Sequence, residues 1–234
     1  MKISILIPTL NEEKYIEKLM LWFQKFDTDN NVECIICDSG STDNTIVIAK
    51  KFNVRILHSP KTGRAAQMNY AASYAKGEIL FFVHADCIPP KTCFDSIFEA
   101  INQNYDAGCF RYKFDSDKYL LKVNAFFNRF GGLICRGGDQ TLFIKKEIFF
   151  SLNGFSEKFI IMEDYDFVKR LIKKYPFKVI PEYAVVSARK YEHNSWAKVN
   201  LANAVAMYMF MSGAYSPQRI RNTYHSMIKH PKDQ

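Results

Sequence analysis

The sequence lacks the features that mark membrane-spanning, secreted or dinucleotide-binding proteins. Its longest apolar stretch, near Leu201–Tyr215, is interrupted by Asn203, Ser212 and Gly213. That falls short of the roughly 18–20 residues a spanning helix needs. Met1-Lys2 leads straight into ISILIP, too short and too β-branched for the apolar core of a signal peptide. No G-x-G-x-x-G is present, which disfavours NAD-dependent redox chemistry. Low-complexity tracts and internal repeats are also missing. The six cysteines do not read as a disulfide framework. Cys34 and Cys37 are spaced C-x-x-C but fall inside an expected strand. Positions i and i+3 of a strand face opposite sides, so the two cannot share a metal. A reduced, cytoplasmic protein is expected.

What is present suits one large α/β domain. The chain has 234 residues, 48% of them hydrophobic and 24% charged, enough for a sizeable core. Lys plus Arg number 32 against 24 Asp plus Glu, a net charge of +8. That excess suits an anionic ligand, an acidic membrane surface or nucleic acid. The basic residues are scattered, so a phosphate-bearing small molecule is sufficient and nucleic acid is not indicated.

Phe81–Ile88, FFVHADCI, is an apolar strand that runs into His84-Ala85-Asp86 and stops. A strand ending in a carboxylate presents it at the edge where open α/β sheets bind ligands. One carboxylate there can hold a divalent cation, and the cation a diphosphate. A capped turn over Cys87–Pro89 would explain the same residues.

Earlier junctions repeat the pattern. Lys2–Ile7 is a continuous apolar run ended by Pro8, as a buried parallel strand reads. Asn11 is expected to cap the next helix, with Glu12 and Glu13 in its first turn and Ile16, Leu19, Met20, Phe23 and Phe26 at helical spacing. Val32–Cys37 is the second strand. After it, Asp38 can accept hydrogen bonds from a ribose or a base, Gly40 permits a tight turn, and Ser41, Thr42 or Asp43 can cap a helix through Phe52. Val54–His58 is the third strand. Gly63-Arg64 then opens an alanine-rich helix, where free amides, dipole and guanidinium suit an anion. Gly77 is expected to end that helix as its cap, before the strand Glu78–Val83. The alternation implies a parallel sheet with right-handed crossovers, so these groups converge on one edge.

In the second half, Lys91–Gln103 reads as a covering helix, Ala107–Phe114 as a strand and Leu120–Phe130 as an aromatic, apolar segment. Gly137-Gly138 and Asp139-Gln140 precede a short strand. Met162-Glu163-Asp164 opens a helix through Lys174, with Phe167, Val168, Leu171 and Ile172 expected to be buried. Glu163 and Asp164 either complement the helix dipole, worth about 0.3–1 kcal/mol each, or supply a general base, worth about 10²–10⁴-fold. Arg189 and Lys190, in the basic and aromatic Ser187–Trp196, can hold a phosphate. Asn200–Met211 reads as a helix serving core packing, or acceptor or membrane-surface contact.

IPTLNEE, CDSGSTDNT, KTGRAAQMN and FFVHADC resemble the ordered motifs of inverting family 2 glycosyltransferases of the GT-A fold. The resemblance runs from Lys2 to about Ile228. HAD in place of the usual DxD, with GRAxQMN, GDQ and MED, resembles a compact bacterial subgroup associated with radical-SAM and selenodomain proteins and with arsenosugar biosynthesis.

The resemblance implies an α/β, Rossmann-like, mostly parallel central sheet flanked by helices, with a C-terminal acceptor-side helical region. It implies one domain, 1–234, with a nucleotide-sugar-binding half at 1–110 and an acceptor-binding half at 111–234. The donor would be a nucleotide sugar, UDP-linked by default. Pro8, Thr9 and Glu12 fall on its base and ribose, Asp38 on the base, and Gly63 and Arg64 on the pyrophosphate. Asn69 would orient the Arg64 loop, and His84 stands where the first Asp of DxD contacts ribose. Asp86 falls on a divalent cation, Mg²⁺ or Mn²⁺, with His193 the only late histidine near to complete its shell. Gly138, Asp139 and Gln140 would line the sugar and acceptor cleft. Asp164 would be the base, and Glu163 would orient the acceptor or the helix. The acceptor is left open among a small molecule, a glycan and a lipid-linked molecule, with peripheral contact at the inner membrane face.

Two rivals use the same residues. Nucleotidyl transfer shares the acids and the metal but favours a glycine-rich loop after the first strand, where this chain has PTLNEE. A non-catalytic sugar-nucleotide binding module is countered by Asp86 and Asp164.

Overall fold

In the computed structural model, which describes residues 1–26, 31–127 and 141–229, the strand β1 (Ile3–Thr9) is buried along its whole length. A strand covered on both faces can be apolar throughout, and its side chains alternate between two cores. Ile3, Ile5 and Ile7 pack with Ile16, Leu19, Met20 and Phe23 of α1 (Glu13–Phe26) and Ile97 of α4 (Cys93–Asn102). Leu6 packs on the other side with Met68 and Ala72 of α3 (Arg64–Tyr74) and Phe167 of α7 (Glu163–Leu171). Each fully buried Ile or Leu is worth roughly 1.5–3 kcal/mol. Cys34 lies against the first core and Cys37 in the second, so the C-x-x-C pair is split across the sheet as expected. Burial pushes the Cys37 thiol up to about 12.

Among the described residues one sheet runs β3-β2-β1-β4-β7-β6-β8-β5, with β2 (Val32–Asp38), β3 (Arg55–His58), β4 (Ile79–Phe82), β5 (Cys87–Ile88), β6 (Ala107–Phe114), β7 (Leu142–Lys145) and β8 (Phe177–Val186). The first four strands are mutually parallel. β1 pairs with β2 on one side and β4 on the other, so the chain's direction of travel across the sheet reverses there. Such a switch point leaves a crevice at the carboxyl ends of the two strands. β7 joins antiparallel to β4 and to β6, and the sheet is mixed beyond that point.

The helices depart from expectation in detail. α2 (Thr45–Ala49) is a short helix. Gly77 does not cap α3: its φ is not positive, and a Cβ there would lie 2.6 Å from the Ser4 amide and 2.7 Å from the Lys2 carbonyl. It is glycine because β1 passes close by. Ile172, expected in the core, is 37% exposed, because α7 ends at Leu171. α5 (Tyr119–Phe127) covers the described part of the apolar segment, and α6 (Lys146–Ser151) follows β7.

The C-terminal layer holds α8 (Trp196–Ser212) and α9 (Pro217–Met227). Ser195 caps α8 by accepting the Lys198 amide, and Gly213 ends it in the left-handed conformation. α9 starts on the same signals, Ser216 as N-cap and Pro217 in the first turn. Ala202, Ala206, Met209 and Phe210 pack on Ile220, Tyr224 and Ile228, with Phe159 and Tyr165 alongside. Among the described residues no helix is long and apolar enough to cross a membrane.

Candidate active site at the strand ends

The carboxyl ends of β1 and β2 are joined by side chains. Thr9 Oγ1 donates to Asp38 Oδ1 at 3.1 Å. Asp38 Oδ2 accepts the amides of Gly40 and Ser41 at 2.8 and 2.9 Å, closing a turn in which Gly40 takes φ +100°. Burial pushes the Asp38 carboxyl up, but the Ser41 hydroxyl, these two amides and the Thr9 hydroxyl outweigh it and hold its pKa low. The stability this gives is complete above the ordinary carboxylate range and is lost as pH falls through the depressed value. Gln67, 3% exposed, donates from Nε2 to the carbonyls of Thr9 and Cys37, each at 2.7 Å. An amide on α3 therefore pins the two strand ends side by side, a role that helical spacing does not reveal.

The NEE and DSGSTDN segments interlock. Asn11 does not cap α1; it sits at φ 53° and its Oδ1 accepts the Thr42 amide at 2.8 Å. The free amides at the start of α1 are met from the other loop. Glu12 N–H donates to Thr45 Oγ1 at 2.7 Å and Glu13 N–H to Asp43 Oδ2 at 3.1 Å. The Glu13 carboxylate returns the contact to the Asn44 amide at 3.1 Å. Asp43, one residue before the Asn44 N-cap of α2, accepts the Thr45 amide at 2.9 Å.

Asp86 and Glu12 meet on Arg189. β5 pairs with β8 so that Cys87 stands opposite Val186, and the Ser187 amide donates to the Asp86 carbonyl at 3.1 Å. A 3-10 turn at Arg189–Tyr191 follows immediately. Arg189 Nη1 lies 2.8 Å from Glu12 Oε2, and Nη2 lies 2.9 Å from Asp86 Oδ2. Glu12 is 6% exposed, so its placement goes beyond helix-dipole complementation. His84 is half-buried at the end of β4, and its carbonyl accepts the Cys87 amide at 3.0 Å. His193 is exposed; the side chain from this loop that reaches Asp86 is Arg189.

Arg64 and Glu163 bring the starts of α3 and α7 together. Gly63, at φ 111°, turns the chain into α3, and Arg64 is the helix's first residue. Arg64 Nε lies 2.9 Å from Oε1 of Glu163, whose side chain is 2% exposed. Glu163 and Asp164 open α7 behind Met162, which sits in the left-handed region at φ 71°. For a residue other than glycine that conformation costs about 1–3 kcal/mol and persists only where surroundings impose it. Asn69 hydrogen-bonds Glu157, which pairs at 2.7 Å with Lys61 of the loop leading to Arg64. Its amide group brackets the backbone of Phe155, donating to the carbonyl at 2.8 Å and accepting the N–H at 2.9 Å. Asn69 thus ties α3 to the segment leading into α7. Gly154 is required beside it, since φ is +61° and a Cβ would lie 2.6 Å from Asn69 Oδ1.

Pro8 and Thr9 are buried in the last turn of β1. Gly138, Asp139 and Gln140 lie outside the described residues. A separate hollow of about 310 Å³ between α7, α8 and α9 is lined by Phe159, Lys169, Lys173, Phe210, Tyr215 and Ile220 among others, and by none of the candidate acids.

Comparison with known proteins identifies the family and the fold. Residues 4–179 match the model of glycosyl transferase family 2. Glycosyltransferase GlyG of Streptococcus pneumoniae is 34% identical over 107 residues, 43% of this chain and 35% of GlyG. The poly(ribitol-phosphate) β-N-acetylglucosaminyltransferase TarS of Staphylococcus aureus is 30% identical over 152 residues, 61% of this chain and 23% of TarS. The matches thus span about a third or less of these relatives. The structure of TarS 1-349 with UDP superimposes with a TM-score of 0.69 at 19% identity, covering 97% of this chain and 70% of that one. The mannosyltransferase PcManGT of Pyrobaculum calidifontis, solved with GDP-Man and Mn²⁺, also gives 0.69 at 19% identity, covering 96% and 68%. The fold is therefore GT-A, an α/β mixed sheet flanked by helices. With the family model matched across most of the sheet and its strand-end acids, the chain belongs to glycosyl transferase family 2.

Proposed function

We propose that this glycosyltransferase is inverting and moves a sugar from a nucleotide-diphosphate sugar to an acceptor hydroxyl. The observation that carries the reading is the Arg64–Glu163 contact. It joins the cation expected on the pyrophosphate to the acid pair expected at the acceptor, as one displacement centre requires. Residues 1–110 form the donor half and 111–234 the acceptor half. Thr9, Asp38 and the turn at Gly40 hold the base, with Pro8 and Glu12 beside the ribose and His84 at the strand end. Solved relatives carry UDP in one case and GDP-Man in another; UDP is taken as the default here by resemblance to the family.

Among the described residues no three His, Cys, Asp or Glu side chains group to form a cage for a metal. Asp86 alone fits Mg²⁺ or Mn²⁺ when diphosphate and water oxygens complete the shell. A cation held there would neutralise charge on the leaving diphosphate. Arg64 supplies a guanidinium to the same group. Asp164 takes the proton from the acceptor hydroxyl, whose oxygen attacks the anomeric carbon from the face opposite the diphosphate. The carbon–oxygen bond to the diphosphate breaks, and its electron pair leaves with the nucleotide. The transition state is oxocarbenium-like. The family resemblance assigns Gly138, Asp139 and Gln140 to the acceptor side. The HAD, GRAxQMN, GDQ and MED pattern supports the radical-SAM-associated, arsenosugar biosynthesis-type subgroup, acting in the cytoplasm or at the inner membrane face on a small-molecule, glycan or lipid-linked acceptor.

Calorimetry with Arg64→Ala tests the phosphate assignment. UDP affinity is expected to fall about tenfold or more while uridine affinity holds, since charge-assisted bonds to phosphate are lost. The melting temperature should fall too, because Glu163 stays buried without its counter-charge. Equal losses for UDP and uridine would take Arg64 out of the phosphate site.

A further inference from the structure

Two carboxylates and an aromatic ring enclose Arg189. Beyond the contacts to Glu12 and Asp86 already described, Nη2 lies 3.4 Å from Glu12 Oε1, and the guanidinium carbon lies 4.9 Å from the centroid of the Tyr15 ring. A guanidinium does not deprotonate in proteins, so the side chain stays charged. Its backbone is fixed from three sides: Arg189 N–H donates to Ser187 Oγ at 3.2 Å, Ala188 N–H to Asp115 Oδ1 at 2.7 Å, and Tyr191 packs edge-on against Phe114.

Resting on the nucleotide-sugar reading above, we propose that Arg189 is the site's own cation: it occupies Asp86 in competition with a divalent ion, and turns to the donor's diphosphate when no such ion is bound. A metal held by Asp86 would sit about 2.0–2.1 Å from a carboxylate oxygen, beside a guanidinium already 2.9 Å from Oδ2. Two cations that close repel each other, so each binds Asp86 at the other's expense. Charge explains why the guanidinium is needed. Glu12 and Asp86 together would repel a diphosphate; Arg189 cancels one of their two charges, and a dication would more than cancel the other. A guanidinium fork pairs with phosphate oxygens as readily as with carboxylate.

The test begins without nucleotide. Free Mn²⁺ is followed by electron paramagnetic resonance as it is titrated into wild type and Arg189→Ala. The variant is expected to bind Mn²⁺ about tenfold or more tightly, because a positive charge near the ligand oxygen is gone. Calorimetry with UDP in EDTA is the second arm. There Arg189→Ala should lose about tenfold or more in affinity, while with Mn²⁺ the loss should be smaller. If Arg189→Ala melts too low to titrate, Arg189→Gln, which keeps donors but not charge, serves the same comparison. Equal Mn²⁺ affinity in wild type and the uncharged variant overturns the proposal, as does equal UDP affinity in EDTA. Failure of UDP to bind wild type under any condition would instead reject the donor reading, and the Mn²⁺ arm would still judge Arg189.

Discussion

Asp164→Asn is expected to lower kcat by roughly 10²–10⁴-fold while UDP binding stays intact. The substitution keeps size and one oxygen, and Oδ1 of Asp164 already accepts the Tyr165 amide at 2.9 Å. What it removes is proton acceptance. Glu163 cannot stand in, because its side chain is 2% exposed and committed to Arg64. If Asp164 served only the α7 dipole, the variant would lose about 0.3–1 kcal/mol of stability and turn over normally. A UDP-release assay beside a melting curve separates the two. A folded variant with wild-type kcat would reject Asp164 as base.

Asp86→Ala should abolish the response of UDP affinity to Mn²⁺ and lower kcat by roughly 10²–10³-fold, the usual scale for one lost electrostatic stabiliser of a developing anion. Metal-free UDP binding should persist, since Arg189 keeps its bond to Glu12 at 2.8 Å and gives up only the Asp86 partner. Calorimetry with and without Mn²⁺ reads both. An undiminished Mn²⁺ response in the variant would move the metal away from Asp86.

Much of this was legible in the sequence, because it follows from local rules. β1, β2 and β4 are apolar runs ending in Thr9, Asp38 and the HAD turn, and a buried parallel strand has few other readings. What escaped depends on contacts between distant segments. Asn11 has the composition of an N-cap, yet Thr42 across the crevice claims its side chain. Gly77 follows a helix as a cap does, but the approach of β1 decides it. Gln67 looks like any polar residue on an alanine-rich helix until two strand-end carbonyls are placed around it. Arg189 was readable as a phosphate ligand, but its hold on Glu12 spans 177 positions and depends on the β5–β8 pairing, which no two-residue strand announces. α9 is the exception: Ser216-Pro217 is a start signal of the ordinary kind, and the helix it opens buries Ile220 and Tyr224.

The central claim is that a nucleoside diphosphate binds across the carboxyl ends of β1, β2 and β4. The most direct measurement is amide chemical-shift mapping of ¹⁵N-labelled protein titrated with UDP and Mg²⁺. The account expects saturable shifts concentrated at Ser39–Ser41, Glu12, Arg64, Asp86–Cys87 and Ala188–Lys190. No saturable shift, or shifts gathered instead around Lys169, Lys173 and Tyr215 at the hollow between α7 and α9, would contradict it.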